Sequence, residues 1–412
     1  MLRNYLLVAL KVLHRRPFFT FVSLFAVSFT LVVLTTASSV LDHLFGPMAP
    51  ETHQDRTIGL YYMELSGDDW IWDGSPGYGF LDQHVRTLPD VERVAVFTDH
   101  TVAATYQTGT KTELVAKRTD GQFWSVFDFE FLEGRPITDD DEANGAPVAV
   151  INETTRDRLF AGGPAVGQML AIDGLRFQVI GVVADVSSLR SNPYSDVWMP
   201  ISTFRNSGYR DGFFGDFHAV IVARDAADIP GIRAEFSALL PRVQLPEPEH
   251  YEKLEASLDT WFEWTTKSFF SEYKKDPTTR FWLGLVVVGF LFMLLPSVNL
   301  INVNVSRIME RASEIGVRKA FGASSRTLVG QFIVENLILT LIGSVLGFVI
   351  ALGALKLLSG SGLVPYADFS INLRVFTYGV LITLFFGLLS GVYPAWRMSR
   401  LDPIQALRGR SL

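Results

Sequence analysis

The 412-residue sequence contains no cysteine and little charge, since only 19% of its residues are Asp, Glu, Lys or Arg. A soluble globular protein carries nearer a quarter charged residues. The absence of cysteine excludes disulfides, zinc–thiolate sites, iron–sulfur clusters and a cysteine nucleophile. Because 48% of the residues are hydrophobic, the composition indicates a membrane protein.

Sequence motifs for catalysis are also missing. The chain has no Gly-Lys dipeptide, and therefore no Walker A loop, and it has neither His-Glu-x-x-His nor Gly-x-Ser-x-Gly. Its seven histidines lack metal-ligand spacing. The acidic run at 139–142 is interpreted as a solvated loop rather than a cation site. We therefore expect no enzymatic activity, no cofactor and no metal site in this chain.

Four long apolar runs are present, at 18–40, 281–306, 327–355 and 375–396. Each exceeds the roughly 20 residues that cross about 30 Å of hydrocarbon. The sequence therefore predicts a membrane protein with four transmembrane α-helices, one before and three after a large insertion at 41–280. A cleaved signal peptide is the alternative for the first run, but a signal's apolar core is usually about 7 to 15 residues long. An uncleaved anchor is favoured.

The distribution of charge predicts the orientation. Basic residues flank the runs in the N-terminal segment 1–17, in the loop 307–326 and in the tail 397–412. Lysine and arginine collect on the cytoplasmic side of a membrane. Both termini and the 307–326 loop are thus predicted to be cytoplasmic, with 41–280 and the short loop 356–374 outside. The outer segment 41–280 has 38 acidic and 21 basic residues. Its net charge of −17 and the −7 of the whole chain disfavour nucleic-acid binding.

The outer segment 41–280 mixes strand and helix patterns, which predicts an α/β domain. Strands are predicted at 57–63, 91–97, 102–106, 113–117, 148–151, 169–172, 177–183 and 218–222, with a hairpin turn at Asp173-Gly174. Helices are predicted at 78–88, 121–127, 153–160 and 228–240. Segments 139–147 and 185–216 are predicted to be surface loops or an inserted subdomain. A helical pattern over 254–280 predicts a stalk that returns to the membrane, paired with the stretch that begins at Leu41.

Small and polar residues mark two of the apolar runs. Gly343 and Gly347 in the third run, and Gly387 and Gly391 in the fourth, have the spacing that lets transmembrane helices approach closely. Packing within one bundle is favoured over dimerisation. Gln331 and Glu335 share one helix face. Pairing or snorkelling of Glu335 toward the cytoplasmic side is favoured over a proton or ion relay.

The 307–326 loop carries charges of both signs at helical spacing. Two interpretations are equally open: a positive anchor at the membrane surface, and a helix that docks on a cytoplasmic partner.

The sequence RIMERASEIGVRKAFGAS at 307–324, followed by QFIVEN at 331–336, resembles the signature of MacB/FtsX-type ABC transporter permeases. YPAWR at 393–397 and LDPIQALR at 401–408 are similarly typical of that family. In the outer segment, FWSVF, FLEGR, PVAVINE and VIGVVAD (123–127, 131–135, 147–153 and 179–185) resemble the MacB-type periplasmic core domain.

The resemblance implies an inner-membrane permease that couples ATP hydrolysis by a separate cytoplasmic ATPase subunit to movement of a periplasmic domain, for export or extraction of a substrate. It implies a second permease subunit, homo- or heterodimeric, membrane lipids as surroundings, and leaves open a periplasmic adaptor with an outer-membrane channel. A non-transporting regulator and a membrane-anchored periplasmic enzyme are the alternatives. By the same resemblance the ATPase-coupling helix comprises Glu310, Arg311, Glu314, Ile315, Gly316, Arg318, Lys319, Gly322 and Ala323.

Overall fold

The computed structural model describes residues 15, 17–107, 109–309, 317, 321 and 324–399. The chain divides into two compact units. We call one the helical unit, which comprises 1–42, 282–363 and 368–412. The other is the α/β unit, which comprises 43–281 together with the four residues 364–367. Those four residues come from the loop 356–374, which the sequence predicts to be a short connection between two spans.

The helices in the described part of the chain are labelled in chain order. They are α1 (Pro17–Phe45), α2 (Tyr78–Phe80, continued by a π-helical turn at Leu81–Val85), α3 (Phe123–Val126), α4 (Asp139–Ala143), α5 (Glu153–Phe160), α6 (Ile229–Leu239), α7 (Trp261–Phe270), α8 (Thr278–Met309), α9 (Ser325–Gly360) and α10 (Leu373–Ser399). Short 3-10 turns occur at Gln54–Arg56, Ile201–Thr203, Ser207–Asp211, Ala226–Asp228 and Leu240–Arg242.

Among the described residues, two helices are long and apolar enough to cross a membrane: α1, and the Ile333–Gly360 part of α9. Shorter apolar stretches lie in α8 (Thr278–Phe292) and α10 (Leu373–Phe385). The helices α9 and α10 pack together, with the rings of Phe348 and Phe376 edge to face at 5.0 Å. In the described part of the chain, the α/β unit is inserted after α1.

Thirteen strands are found in the described residues: β1 (Thr57–Leu60), β2 (Met63–Ser66), β3 (Ile71–Gly74), β4 (Val91–Thr98), β5 (Thr101–Thr105), β6 (Thr112–Thr119), β7 (Phe131–Gly134), β8 (Val148–Asn152), β9 (Met169–Ile172), β10 (Leu175–Val183), β11 (Val197–Pro200), β12 (Phe217–Ala223) and β13 (Lys253–Ala256). The main sheet has the order β1-β12-β4-β6-β11-β8-β10-β7, with β5 paired to β6 and β9 to β10. A small sheet has the order β13-β2-β3.

The core lies on both faces of the main sheet, as β12 illustrates. Ala219 and Ile221 enter one hydrophobic cluster, with Phe236 of α6. Val220 and Val222 enter another, with Phe123 of α3. Side chains alternate between the two faces of a strand, so a strand covered on both faces is apolar throughout. This explains the unbroken AVIVA run of β12.

The predicted α/β class is confirmed, and every predicted strand has a counterpart. The Asp173-Gly174 hairpin is confirmed by the pairing of Leu175 with Ile172, and both turn residues have positive φ. The predicted strand at 57–63 is instead two strands in different sheets, because the chain leaves the main sheet after Leu60.

Three other predictions for the α/β unit were wrong in part. Segment 185–216 is not a surface loop, because it contains β11, whose residues are all buried between β6 and β8. Segment 139–147 stays at the surface but begins with α4, whose first turn has a capping box between Thr138 and Asp141. The stalk predicted at 254–280 is not one continuous helix: it contains β13 and α7, and α8 begins only at Thr278, after Pro277.

Candidate functional site

The predicted ATPase-coupling helix falls almost wholly outside the described residues. This holds for Glu310, Arg311, Glu314, Ile315, Gly316, Arg318, Lys319, Gly322 and Ala323. Two of its neighbours are described: the Phe321 N–H donates to the Val317 carbonyl at 3.1 Å, the i to i−4 bond of an α-helical turn. Phe321 is 88% exposed.

The glycines Gly343 and Gly347 of α9 lie where α1 approaches that helix. A Cβ atom placed on Gly343 would lie 2.7 Å from Val27 Cγ1, and one on Gly347 would lie 3.1 Å from Leu31 Cβ. Both distances are shorter than ordinary van der Waals contact, so only glycine lets α1 come this close. Gly387 and Gly391 lie in α10, and their surroundings fall outside the described residues.

The polar residues predicted within the third span lie on α9. Glu335 is 2% exposed and Gln331 is half-buried, and each has an interaction partner. Glu335 therefore lies inside the helical unit, and its pairing or snorkelling stays a prediction.

The α/β unit contains a set of contacts among the chain segments that lead to the long helices. We call it the junction cluster, defined as Phe45, Glu51, Arg190, Asp196, Phe262 and Tyr366. Phe45 is the last residue of α1, and Phe281 lies in the first turn of α8. Both pack edge to face on Phe262, at 4.8 Å and 5.6 Å between ring centroids. Phe262 thus contacts both the segment by which the chain enters the α/β unit and the segment by which it leaves that unit.

Phe262 is held by the way α7 is built. Thr260 caps the helix, its hydroxyl accepting from the Glu263 N–H at 3.2 Å, and the Glu263 carboxylate accepts from the Thr260 N–H at 2.7 Å. Arg233 of α6 donates to the same carboxylate. Lys267 pairs with Asp259 at 2.8 Å. These bonds fix both ends of α7 on the α/β unit.

A buried ion pair lies beside the entry segment. Arg190 is 1% exposed, and its Nη1 contacts Glu51 Oε2 at 2.9 Å while its Nη2 donates to the Gly46 carbonyl at 2.7 Å. Burial raises the pKa of Glu51, and the Arg190 guanidinium opposes that rise. A single side chain therefore ties the residues that follow α1 to the segment that precedes β11.

The segment before β11 also holds the residues that follow α9. The Tyr366 hydroxyl donates to Asp196 Oδ1 at 2.7 Å, and the Ser188 N–H donates to the Pro365 carbonyl at 3.0 Å. Asp196 Oδ2 accepts from the Val115 N–H at 2.8 Å. Tyr366 has φ +58°, a conformation uncommon for a residue other than glycine. Its ring is thus held in the α/β unit by a specific contact.

A buried lysine of β6 also forms hydrogen bonds with the segment before β11. Lys117 Nζ donates to the Ser191 and Asn192 carbonyls at 2.7 Å and 2.5 Å. Burial lowers the pKa of this amine to about 7, against the opposing attraction of Asp99 and Glu51. The Asn192 amide donates to the Tyr61 hydroxyl at 3.0 Å. The backbone at 191–192 is therefore held by Lys117 of β6, and the Asn192 side chain is held by Tyr61, which follows β1.

A cavity of about 640 Å³ borders the junction cluster. Its wall includes Phe45, Glu51, Tyr61, Trp261 and Phe262.

The described residues contain no group of three or more His, Asp or Glu side chains that could hold a metal ion. The carboxylates of the acidic run diverge, since Asp141 pairs with Arg135 and Glu142 accepts from Ser202.

None of the six junction residues was predicted as a site from the sequence. Arg190 and Asp196 lie in a segment interpreted as a loop, and Tyr366 lies in a short connection with no motif. A buried arginine or aspartate needs a partner. The sequence does not show which residue is that partner, so the pairs can be identified only in the folded structure.

Comparison with known proteins identifies the family. A family model described as the MacB-like periplasmic core domain matches residues 20–239, more than half of the chain. A second, described as the FtsX-like permease C-terminal domain, matches residues 286–403. The chain belongs to the MacB/FtsX-type ABC transporter permeases. The resemblance of the sequence to this family is thereby confirmed.

Individual relatives of this permease agree with that assignment. An uncharacterized ABC transporter permease, YknZ of Bacillus subtilis, is 27% identical over 362 residues, which cover 86% of this chain and 85% of YknZ. The macrolide export ATP-binding/permease protein MacB of Hahella chejuensis is 30% identical over 292 residues. That match covers 69% of this permease but only 41% of MacB. The crystal structure of the YknZ extracellular domain matches 48% of the chain, at 16% identity and a TM-score of 0.37.

Proposed function

We propose that this chain is the permease subunit of an ABC exporter, located in the inner membrane with both termini in the cytoplasm and four membrane-spanning helices. A separate ATPase subunit binds and hydrolyses ATP. The permease itself carries no catalytic site and no cofactor. Its task is to convert movement at the cytoplasmic side into movement of the periplasmic α/β unit, and so to export or extract a substrate.

The junction cluster is the observation that carries this proposal. A domain moved by membrane helices needs firm contacts at each place where the chain passes between them, and flexible linkers there would dissipate the motion. In this chain the segments after α1, before α8 and after α9 are each held by a packed ring, a buried ion pair or a hydrogen bond. Movement of any one segment would therefore be transmitted to the α/β unit.

Family membership supports the coupling to ATP. The relative MacB is named as both ATP-binding and permease, and this chain matches only 41% of its length. The chain has no Gly-Lys dipeptide and hence no Walker A loop. We propose that a separate ATPase docks on the coupling helix that the sequence predicts at 310–323. We further propose that two permease subunits act together, the same chain or a related one. The export named for MacB favours transport over a regulatory role.

The test is co-purification of the full chain with its ATPase subunit, followed by vanadate-sensitive ATP hydrolysis. Glu314→Arg combined with Arg318→Glu reverses two charges in the docking helix without changing their sum. We expect loss of the complex and of permease-stimulated hydrolysis. The matched control is Glu272→Arg with Arg280→Glu, which exchanges an exposed ion pair of the α/β unit. Unchanged assembly and hydrolysis in the docking variant would refute the proposal.

A further inference from the structure

A second cavity, of about 410 Å³, lies in the α/β unit between β5, β6, the β9–β10 hairpin and the turn after β11. Its floor is apolar and includes Ala103, Ile172 and Met199. Its polar lining comprises two arginines, Arg118 of β6 and Arg205, together with Thr101, Asp173 and Asn206. An apolar cavity of a few hundred Å³ with a small number of convergent polar groups has the character of a ligand site.

Within the described residues, Arg118 forms no salt bridge with a carboxylate. Its guanidinium carbon lies 4.4 Å from the centre of the Phe204 ring, a cation–π contact that fixes the side chain in place. Its Nε is buried and has no hydrogen-bond partner in the part of the chain that the structure describes. Burial lowers the pKa of Arg118, with Asp173 and Arg205 acting on it in opposite directions. The Arg118 side chain is therefore fixed in place, and its guanidinium group has N–H groups available to donate hydrogen bonds to a ligand.

Arg205 supplies the second cation. Its Nη2 donates to the backbone carbonyl of Asp173 at 2.7 Å, which leaves its other N–H groups available. The Asp173 carboxylate itself accepts from the Ala104 N–H at 2.9 Å. Within the described residues neither Arg118 nor Arg205 forms a salt bridge. Arg86, Arg135 and Arg233 of the same unit each pair with a carboxylate. Within the described residues Arg158, Arg176, Arg210 and Arg242, like Arg118 and Arg205, form no salt bridge.

Acidic residues are in excess in the segment that contains this cavity. Residues 41–280 contain 38 acidic and 21 basic residues, so carboxylates are plentiful as partners. Within the described residues the two guanidinium groups at this cavity form no salt bridge, and the one carboxylate in its lining, that of Asp173, accepts from the Ala104 N–H. Mutual repulsion of the pair costs stability, and a bound anion would remove that cost through charge-assisted hydrogen bonds.

We propose that this cavity binds a small organic anion, a carboxylate with an apolar body. The carboxylate lies between Arg118 and Arg205, and the apolar part contacts Ala103, Ile172 and Met199. The site is separate from the junction cluster and shares no lining residue with the 640 Å³ cavity. It goes beyond the proposed function, since transmission of movement does not require a ligand here.

The experiment uses the full chain in lipid nanodiscs and ligand-observed saturation-transfer NMR. The probes are hexanoate, its neutral analogue hexanamide, and inorganic phosphate. We expect hexanoate to bind, hexanamide to bind at least about tenfold more weakly because it lacks the charge, and phosphate to compete poorly because it lacks the apolar body. Equal binding of hexanoate and hexanamide, or no binding of hexanoate, would overturn the proposal. Phosphate binding as strong as hexanoate binding would overturn the apolar part of it.

Two variants locate the site. Arg205→Ala is expected to weaken hexanoate binding about tenfold or more. Arg118→Met keeps an unbranched apolar side chain over Phe204 and is expected to abolish binding while raising the melting temperature of the ligand-free protein, because it removes an unpaired, partly buried charge. The matched control Arg210→Gln removes one exposed arginine nearby that does not line the cavity. Binding lost equally in Arg210→Gln, or retained in Arg205→Ala, would contradict the assignment.

Discussion

Tyr366 donates its hydroxyl hydrogen to Asp196 Oδ1 at 2.7 Å, although 170 residues separate the two in the chain. Tyr366 belongs to the connection between α9 and α10, and Asp196 directly precedes β11 of the main sheet. The same short segment holds Arg190, whose partner Glu51 follows α1. Residues 186–197 therefore contact both the segment that follows α1 and the segment that follows α9.

The first prediction concerns that hydrogen bond. Tyr366→Phe removes the hydroxyl but keeps the ring, and the loss of a hydrogen bond to a carboxylate should lower the free energy of unfolding by about 1–3 kcal/mol. If the bond transmits movement, permease-stimulated ATP hydrolysis and transport should fall more than stability does. Chemical unfolding and vanadate-sensitive hydrolysis measure the two effects. Tyr194→Phe is the control, because Tyr194 is a neighbouring tyrosine whose ring centroid lies 6.2 Å from that of Tyr366. Equal effects of the two variants would contradict a specific role for Tyr366.

The second prediction concerns the buried ion pair. Arg190→Met leaves Glu51 buried without its cation, which should cost about 3–5 kcal/mol of unfolding free energy. Adding Glu51→Gln removes the uncompensated charge, so the double variant should be more stable than Arg190→Met alone. A double-mutant cycle by denaturant unfolding measures the coupling between the two side chains. Simple additivity of the two substitutions would show that the pair does not interact as described.

The third prediction is a pH dependence caused by Lys117. Burial lowers the pKa of its amine to about 7 in the folded protein, from an ordinary value of 10.5. Between these values the unfolded chain binds a proton that the folded chain does not, so this residue makes stability rise with pH from about 7 to about 10.5. Lys117→Met should flatten that rise.

Melting temperatures measured between pH 7 and pH 10 check the Lys117 prediction. Lys275→Met, at an exposed lysine, serves as the control and should leave the slope as it is in the wild type. A slope unchanged in Lys117→Met would mean that the amine keeps its proton in the folded protein.

The fourth prediction concerns the contact between α1 and α9. A Cβ at Gly343 would lie 2.7 Å from Val27 Cγ1, so Gly343→Ala should be destabilising by about 1–3 kcal/mol. Val27→Ala removes Cγ1 but keeps Cβ, which would lie 2.9 Å away, so it should restore only part of the lost stability when combined with Gly343→Ala. Gly353→Ala is the matched control on the same helix, because nothing lies within 4 Å of a Cβ there. Unfolding in detergent measures all four proteins, and a Gly343→Ala variant as stable as Gly353→Ala would disprove the close approach.

Local patterns in the sequence were sufficient to predict much of the fold. Period-two alternation located β4, β6 and β10, and the Asp173-Gly174 turn predicted the β9–β10 hairpin, because these signals lie within a few residues. The strand β11 was missed. Its four residues follow a stretch of Ser, Asn and Pro, and a strand that short carries little periodic signal of its own.

The junction cluster could not be predicted in the same way. Glu51 and Arg190 are 139 residues apart, and Tyr366 and Asp196 are 170 residues apart. Nothing in the local sequence of these residues indicates a partner. Their pairing depends on which strands become neighbours in the main sheet, and that is decided by packing over the whole unit. The family signature, in contrast, is local and was recognisable directly.

The most direct test of the proposed coupling is the distance between the α/β units of two permease subunits during the ATPase cycle. The chain contains no cysteine, so a single Ala227→Cys or Val166→Cys substitution gives one spin label per subunit. Double electron–electron resonance on the complex with its ATPase, in nanodiscs, compares the nucleotide-free and vanadate-trapped states. We predict that the distance distribution shifts for at least one label site and that Tyr366→Phe reduces the shift. Identical distributions in the two states, in a complex that hydrolyses ATP, would contradict the account.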